Sequence, residues 1–67
     1  MQQRASNLLS MAEEMDRRIW YTERFIKACE EYSRRTRLEN LLDTRKRASR
    51  RLWAAYIKEL TKIKLEI

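Results

Sequence analysis

Apolar side chains recur along the first half of the chain at the spacing of an amphipathic helix. Steps of three and four residues alternate, as they do between the two apolar positions of a heptad. This pattern predicts a helix over residues 3–33. The apolar row comprises Ala5, Leu8, Ala12, Met15, Ile19, Ile26 and Cys29. Thr22 interrupts the row once, and Met11, Phe25 and Tyr32 widen it to the breadth expected of a helix that contacts two neighbours.

The second half repeats the pattern and predicts a helix over residues 44–66. Two interleaved heptad rows are visible, at positions 42, 49, 56, 63 and at positions 53, 60, 67. Their residues are Leu42, Ser49, Trp53, Tyr56, Leu60, Ile63 and Ile67. Leu38, Leu41 and Leu52 lie beside these rows. Both halves are therefore amphipathic.

Between the two patterns, residues 33–37 are polar, and we expect a turn within residues 33–44. Thr36 and Glu39 have the spacing of a capping box, in which two side chains bind the first backbone amides of a helix. Asn40, Asp43 and Thr44 also belong to the residue types that begin helices. The alternative is one uninterrupted helix about 100 Å long.

The composition favours an all-α fold, because the chain contains no glycine and no proline. Two amphipathic helices joined by a turn predict an antiparallel helical hairpin, a single module of 67 residues. A chain shorter than about 70–80 residues rarely encloses an adequate core alone. We therefore expect oligomerisation or a partner to complete a four-helix-bundle or coiled-coil-like assembly.

Candidate chemistry is sparse. The chain has one cysteine and no histidine, so it holds neither an internal disulfide nor the ligands of an ordinary zinc site. It also lacks a glycine-rich phosphate loop and a histidine to activate Cys29. We expect a non-enzymatic protein without cofactors. The lone thiol and the lack of a membrane-length apolar run favour a reducing, intracellular compartment, either cytoplasm or nucleus.

The net charge of +6 is concentrated near the middle of the chain. Residues 1–33 hold five basic and six acidic side chains, whereas residues 34–51 hold eight basic and two acidic ones. The eight basic side chains are Arg34, Arg35, Arg37, Arg45, Lys46, Arg47, Arg50 and Arg51. Four interpretations are open: a solvated face, contact with an acidic protein, nucleic-acid binding and a nuclear-import signal.

The nucleic-acid interpretation has a more specific form. The segment Thr44–Trp53, TRKRASRRLW, resembles the arginine-rich helices of lambdoid phage antitermination proteins, which bind an RNA hairpin. The resemblance covers ten residues. It implies that Arg45, Lys46, Arg47, Arg50 and Arg51 contact the RNA backbone and that Trp53 stacks on a base.

The apolar faces predict the primary function, which is assembly with another copy or with another helical protein. Trp20 lies off the apolar row and is the strongest single candidate for a partner contact, because tryptophan is enriched at interface hot spots. The predicted interface comprises Leu8, Met15, Ile19, Trp20, Phe25, Ile26, Trp53, Tyr56, Leu60 and Ile63. Binding to a membrane surface through the lysines and aromatic residues of the second helix ranks third.

Overall fold

The computed structural model describes residues 2–66, and its side chains over residues 3–65, as two helices. Helix α1 spans Gln2–Ala28 and helix α2 spans Tyr32–Glu66. Contacts between them join Arg4 to Glu59 near one end and Thr22 to Arg45 toward the other, so the helices are antiparallel. The molecule measures 54 × 14 × 12 Å. The predicted all-α hairpin is confirmed, and the single continuous helix is wrong.

The turn lies at residues 29–31, upstream of the predicted 33–44, so both predicted helix boundaries at the turn were wrong. The Cys29 amide donates to the Ile26 carbonyl at 3.2 Å, which tightens the end of α1. The Glu31 carbonyl accepts the first helical bond of α2 from the Arg35 amide at 2.9 Å. Lys27 lies in the last turn of α1 and Glu30 lies just before α2, which suits both helix dipoles.

The polar residues that predicted the turn are instead helical. The Thr36 hydroxyl donates to the Tyr32 carbonyl at 3.0 Å, and the Thr44 hydroxyl donates to the Asn40 carbonyl at 3.1 Å. These bonds to the preceding turn satisfy the hydroxyl groups without ending the helix. Threonine at these positions is therefore compatible with an unbroken α2, and no capping box forms at Thr36.

Small side chains occupy the most enclosed positions between the helices. Ala12 is 0% exposed, and Ala5, Thr22 and Ser49 are also buried. Ala5 and Ala12 are the only buried hydrophobic residues among the described side chains. The separation of packed helices depends on the side chains at their contact, so small residues permit a close approach. Larger apolar residues of the α1 row, such as Ile19 and Ile26, are half-buried at the edges of this contact.

On α2, the second predicted row needs correction. Leu60 is 40% exposed, whereas its neighbour Glu59 is only 8% exposed. The positions that face α1 are 42, 45, 49, 52, 56, 59 and 63, which replace the predicted row 53, 60, 67 by 45, 52, 59. Residue 67 lies outside the described residues. Arg45 and Glu59 can occupy this row because each finds a polar partner on α1.

Polar contacts cross the whole length of the helix pair. Asp16 accepts from the Ser49 hydroxyl at 2.5 Å and from the Trp53 indole nitrogen at 2.9 Å. The Thr22 hydroxyl accepts from Arg45 Nη1 at 2.6 Å. Near the start of α1, Arg4 Nε lies 3.8 Å from Glu59 Oε2. Together with the small buried residues, these contacts form the seam of the hairpin.

We expect Ala12→Leu to destabilise the hairpin by about 1–3 kcal/mol, because the larger side chain forces the helices apart. Ala54→Leu is the matched control, since Ala54 is an exposed residue of α2. Its effect should stay within about 0.5 kcal/mol. Urea denaturation followed by circular dichroism, at one protein concentration, measures both. Equal stability of the two variants would contradict the close packing at Ala12.

We expect Asp16→Ala to cost about 1–3 kcal/mol, because it removes two hydrogen bonds and leaves the buried Ser49 hydroxyl without its acceptor. Glu13→Ala makes the same change of charge at an exposed residue of α1. Urea denaturation should show little change in that control. A loss of stability in Glu13→Ala as large as in Asp16→Ala would mean that charge, and not the seam contact, is responsible.

Candidate interaction surfaces

One flank of the seam carries a shallow apolar groove between the two helices. Met11, Met15 and Leu52 line one part of it, beside Glu14 and Arg18. Farther toward the turn, Phe25, Ala28, Cys29, Arg34 and Leu38 line a second depression. Leu41, one turn after Leu38, extends the apolar surface. We call this surface the apolar groove, with the members Met11, Met15, Phe25, Leu38, Leu41 and Leu52.

The apolar groove contains charges of both signs at its rim. Glu14 lies 2.7 Å from Arg17 and 3.6 Å from Arg18, measured between carboxylate oxygens and guanidinium nitrogens. The three side chains are substantially solvent-exposed, so these ion pairs contribute little to stability. They do give one surface both a donor and an acceptor of ion pairs.

An aromatic patch occupies the last turns of α1. The Trp20 and Tyr21 rings meet edge to face, with their centroids 5.0 Å apart. The Arg24 guanidinium lies 4.7 Å from the centroid of the Trp20 ring, a cation–π contact. Trp20 is thus exposed, as its place off the apolar row predicts, and its ring face is already in contact with a cation of the same helix.

The side of α2 turned away from α1 is basic. Between residues 44 and 65 the sequence holds eight basic side chains and one acid, Glu59. Glu59 is buried in the seam, and Arg45 also points there. The seven other cations are all exposed and form what we call the basic face: Lys46, Arg47, Arg50, Arg51, Lys58, Lys62 and Lys64.

The structure separates the basic residues that the sequence grouped as contacts for nucleic acid or an acidic partner. Arg45 is half-buried and donates to Thr22. Arg35 and Arg47 form ion pairs with carboxylates one turn away, at 3.3 Å and 2.6 Å. The remaining members are exposed: Arg34, Arg37, Lys46, Arg50 and Arg51. The predicted group is therefore not one surface.

The predicted interface residues also divide into two sets. One set is half-buried beside the seam within the hairpin: Leu8, Met15, Ile19, Ile26, Trp53, Tyr56 and Ile63. The other set is exposed: Trp20, Phe25 and Leu60. Among the half-buried residues, Met15 also lines the apolar groove. Trp53 donates its indole N–H to Asp16, which holds the ring beside the seam.

Sequence reasoning left Met11, Leu41 and Ile57 out of the interface, although each is exposed. It also assigned Asp16 and Glu59 no role, although both hold the helices together. The signal for Glu59 was present, because Leu52 and Glu59 continue a heptad row from Leu38. A pattern of apolar residues alone gives no weight to a charged residue in such a row.

Two classes of site can be assessed directly on the described residues. Within them, no three histidine, cysteine, aspartate or glutamate side chains gather as they would around a metal ion. Neither α1 nor α2, as far as each is described, is long and apolar enough to cross a membrane.

Comparisons with known proteins give no independent indication of function. The chain matches no protein-family description, no curated protein and no solved structure. The fold and the chemistry of the apolar groove, the aromatic patch and the basic face are therefore the basis for assigning a role.

Proposed function

We propose that this protein is a non-enzymatic assembly module whose working unit is a dimer of hairpins, with one apolar groove packed on the other. A single observation carries the proposal. Large apolar side chains remain exposed along the hairpin, while alanines are the only buried hydrophobic residues among its described side chains. Met11, for example, is 54% exposed, although it lies in a groove that has α2 as one wall.

The energetics favour covering the apolar groove. Full burial of a large apolar side chain contributes about 1.5–3 kcal/mol. Part of this gain is already made within the hairpin, where larger residues such as Ile19 and Ile26 are half-buried. The two buried hydrophobic side chains among those described, Ala5 and Ala12, are however short. Burying the residues of the groove would supply the apolar contact that the lone hairpin lacks. Association then takes the part that disulfides or a metal take in other small proteins.

The size of the hairpin suits a dimer. A lateral face of the molecule measures about 54 × 14 Å. That is close to the roughly 800 Å² that each partner contributes to a stable protein–protein interface. Two hairpins packed along such a face would form a four-helix bundle, in which each helix contacts more than one neighbour. The apolar face of α1 has the breadth expected of a helix that contacts two neighbours, which such a bundle would provide.

A second copy fits the charge at the groove. A two-fold axis places the same surface on both partners, so the surface must be complementary to itself. Glu14 and Arg18 supply both signs of charge in one part of the groove, and each can pair with its opposite on the other copy. Arg34 adds a second cation near the turn. The basic face lies on the outer side of α2, away from this contact. Although each copy has a net charge of +6, the repulsion between two copies is therefore not concentrated at the groove.

We expect the protein to sediment at twice its 8.3 kDa mass at micromolar concentration, and Met11→Glu to weaken this dimer. The variant would bury an unpaired carboxylate from each copy, so the dissociation constant should rise by at least about 100-fold. Met11→Leu should restore association. Sedimentation velocity between about 1 and 100 µM measures these equilibria.

Ile57→Glu is the matched control for Met11→Glu. Ile57 is 60% exposed, much like Met11, but it lies on α2 outside the apolar groove. Both variants lower the net charge by the same amount, so a difference between them reports on the position. A wild-type chain that is fully helical and monomeric at about 100 µM would refute the proposal, because its association free energy would then be weaker than about −5.5 kcal/mol. Equal weakening by both glutamates would refute the choice of the groove.

A further inference from the structure

The basic face differs from every other charged part of the hairpin. From residue 44 to residue 65 it presents seven exposed cations, and the one acid in that stretch is turned into the seam. The face extends from Lys46 to Lys64, about 27 Å along the helix at 1.5 Å per residue. Cations in a row of this length create a strong positive electrostatic potential along the helix surface.

Elsewhere along the described chain, some exposed cations are offset by neighbours. Arg17 and Arg18 share Glu14, and Arg35 pairs with Glu39. Others form no ion pair with a described side chain, namely Arg24, Lys27, Arg34 and Arg37. On the basic face, the only ion pair among the described side chains is that of Arg47 with Asp43, just before the stretch begins.

Like charges one turn apart add a cost on the basic face. Lys46 with Arg50 and Arg47 with Arg51 are such pairs, each destabilising by some tenths of a kcal/mol. Glu59 lies more than two helical turns after these pairs and is turned toward Arg4, so it does not compensate them. Since α2 begins at residue 32, these cations lie in the middle of the helix, where its dipole neither helps nor opposes them.

We propose that the basic face binds the sugar–phosphate backbone of double-helical nucleic acid. A rigid helix holds its cations at fixed positions, and a duplex holds its phosphates in an equally regular array. Lysine and arginine that contact phosphates release condensed counterions, which drives binding without reading the base sequence. The ligand chemistry is the phosphate backbone, whether of DNA or of RNA.

The side chains between the cations favour a duplex over a single strand or a membrane. Ala54 and Thr61 are small, and no aromatic residue lies among the cations of this face. The exposed apolar residues Ile57 and Leu65 are separated by cations and form no continuous apolar side. Single strands are held by stacking on aromatic rings, and membrane surfaces by an apolar side that enters the lipid. Trp53 is bonded to Asp16 at the seam. Contact with a charged backbone is the chemistry that remains.

The inference does not depend on the proposed dimer. The apolar groove lies beside the seam and the basic face lies opposite to it, so the second surface is free in a monomer and in a dimer alike. A dimer would present two such faces.

The direct test is fluorescence anisotropy with the full chain and a labelled duplex of about 20 base pairs, as DNA and as RNA, at about 50 to 200 mM KCl. With about five phosphate contacts, the affinity should fall by about 10²–10³-fold over that range. The labelled single strand and vesicles containing phosphatidylserine are the competing probes. Both should bind more weakly than the duplex.

A pair of double variants locates the site. Arg51→Gln with Lys58→Gln removes two cations from the basic face, and Arg24→Gln with Lys27→Gln removes two from α1. Glutamine keeps a similar helix propensity, and the change of net charge is the same. The first variant should reduce the salt dependence by about two phosphate contacts and the affinity at least about tenfold. The second should stay within about twofold to threefold of wild type.

Four results would overturn the proposal. The first is no duplex binding at about 50 mM KCl, and the second is binding that does not depend on salt. The third is an equal loss of affinity in the two double variants, and the fourth is tighter binding of the single strand or the vesicles than of the duplex. Circular dichroism of each variant confirms that the hairpin is intact. Sedimentation of the first variant separates this inference from the proposed dimer, because its association should be unchanged while its duplex binding is lost.

Discussion

The contact of α1 and α2 over small buried side chains is the constraint on which the other features of this hairpin depend. Four of the five buried positions among the described side chains are small residues, Ala5, Ala12, Thr22 and Ser49, and Glu59 is the fifth. Larger residues of the same rows, such as Ile19 and Ile26, are only half-buried, and others lie exposed along the flanks. The apolar groove is therefore a result of how the seam is built. The same packing that joins the two helices leaves apolar surface outside them.

Polar contacts along the seam define how the two helices align. Asp16 holds Ser49 and Trp53, and Thr22 holds Arg45. Apolar heptads can slide by one repeat at modest cost, whereas a shift of this kind would separate each of these partners and leave Ser49 buried without an acceptor. Such polar groups in a helical interface can fix its register. Their presence explains how a short chain with a small core can favour one arrangement.

The sequence predicts the class of fold because its strongest signals are local. Heptad spacing and the lack of glycine and proline predict amphipathic helices, and the polar residues 33–37 favour a hairpin over one uninterrupted helix. The turn was misplaced because threonine has two stable options, to cap a helix or to bond back to the preceding turn, and α2 uses the second at Thr36 and Thr44. Favourable dipole contacts of Lys27 and Glu30 were the weaker but correct signal.

The surfaces were predictable only in part. Exposure of Trp20 follows from its angle on the helix, and the excess of arginine and lysine on α2 follows from composition. The separation of Arg45 from its neighbours did not follow, because it requires the position of Thr22 on the other helix. Glu59 is a similar case, since its burial depends on a facing arginine 55 positions earlier in the chain. Pairings between distant segments are not encoded in the local pattern.

The small seam also affects how the hairpin responds to temperature. The heat capacity of unfolding grows with the apolar surface that becomes exposed, and Ala5 and Ala12 are the only buried hydrophobic residues in the described part of one chain. The isolated hairpin should therefore have a low heat capacity of unfolding and a shallow stability curve. Covering the apolar groove would add apolar burial and increase that curvature. The shape of the thermal transition thus depends mainly on what covers the groove.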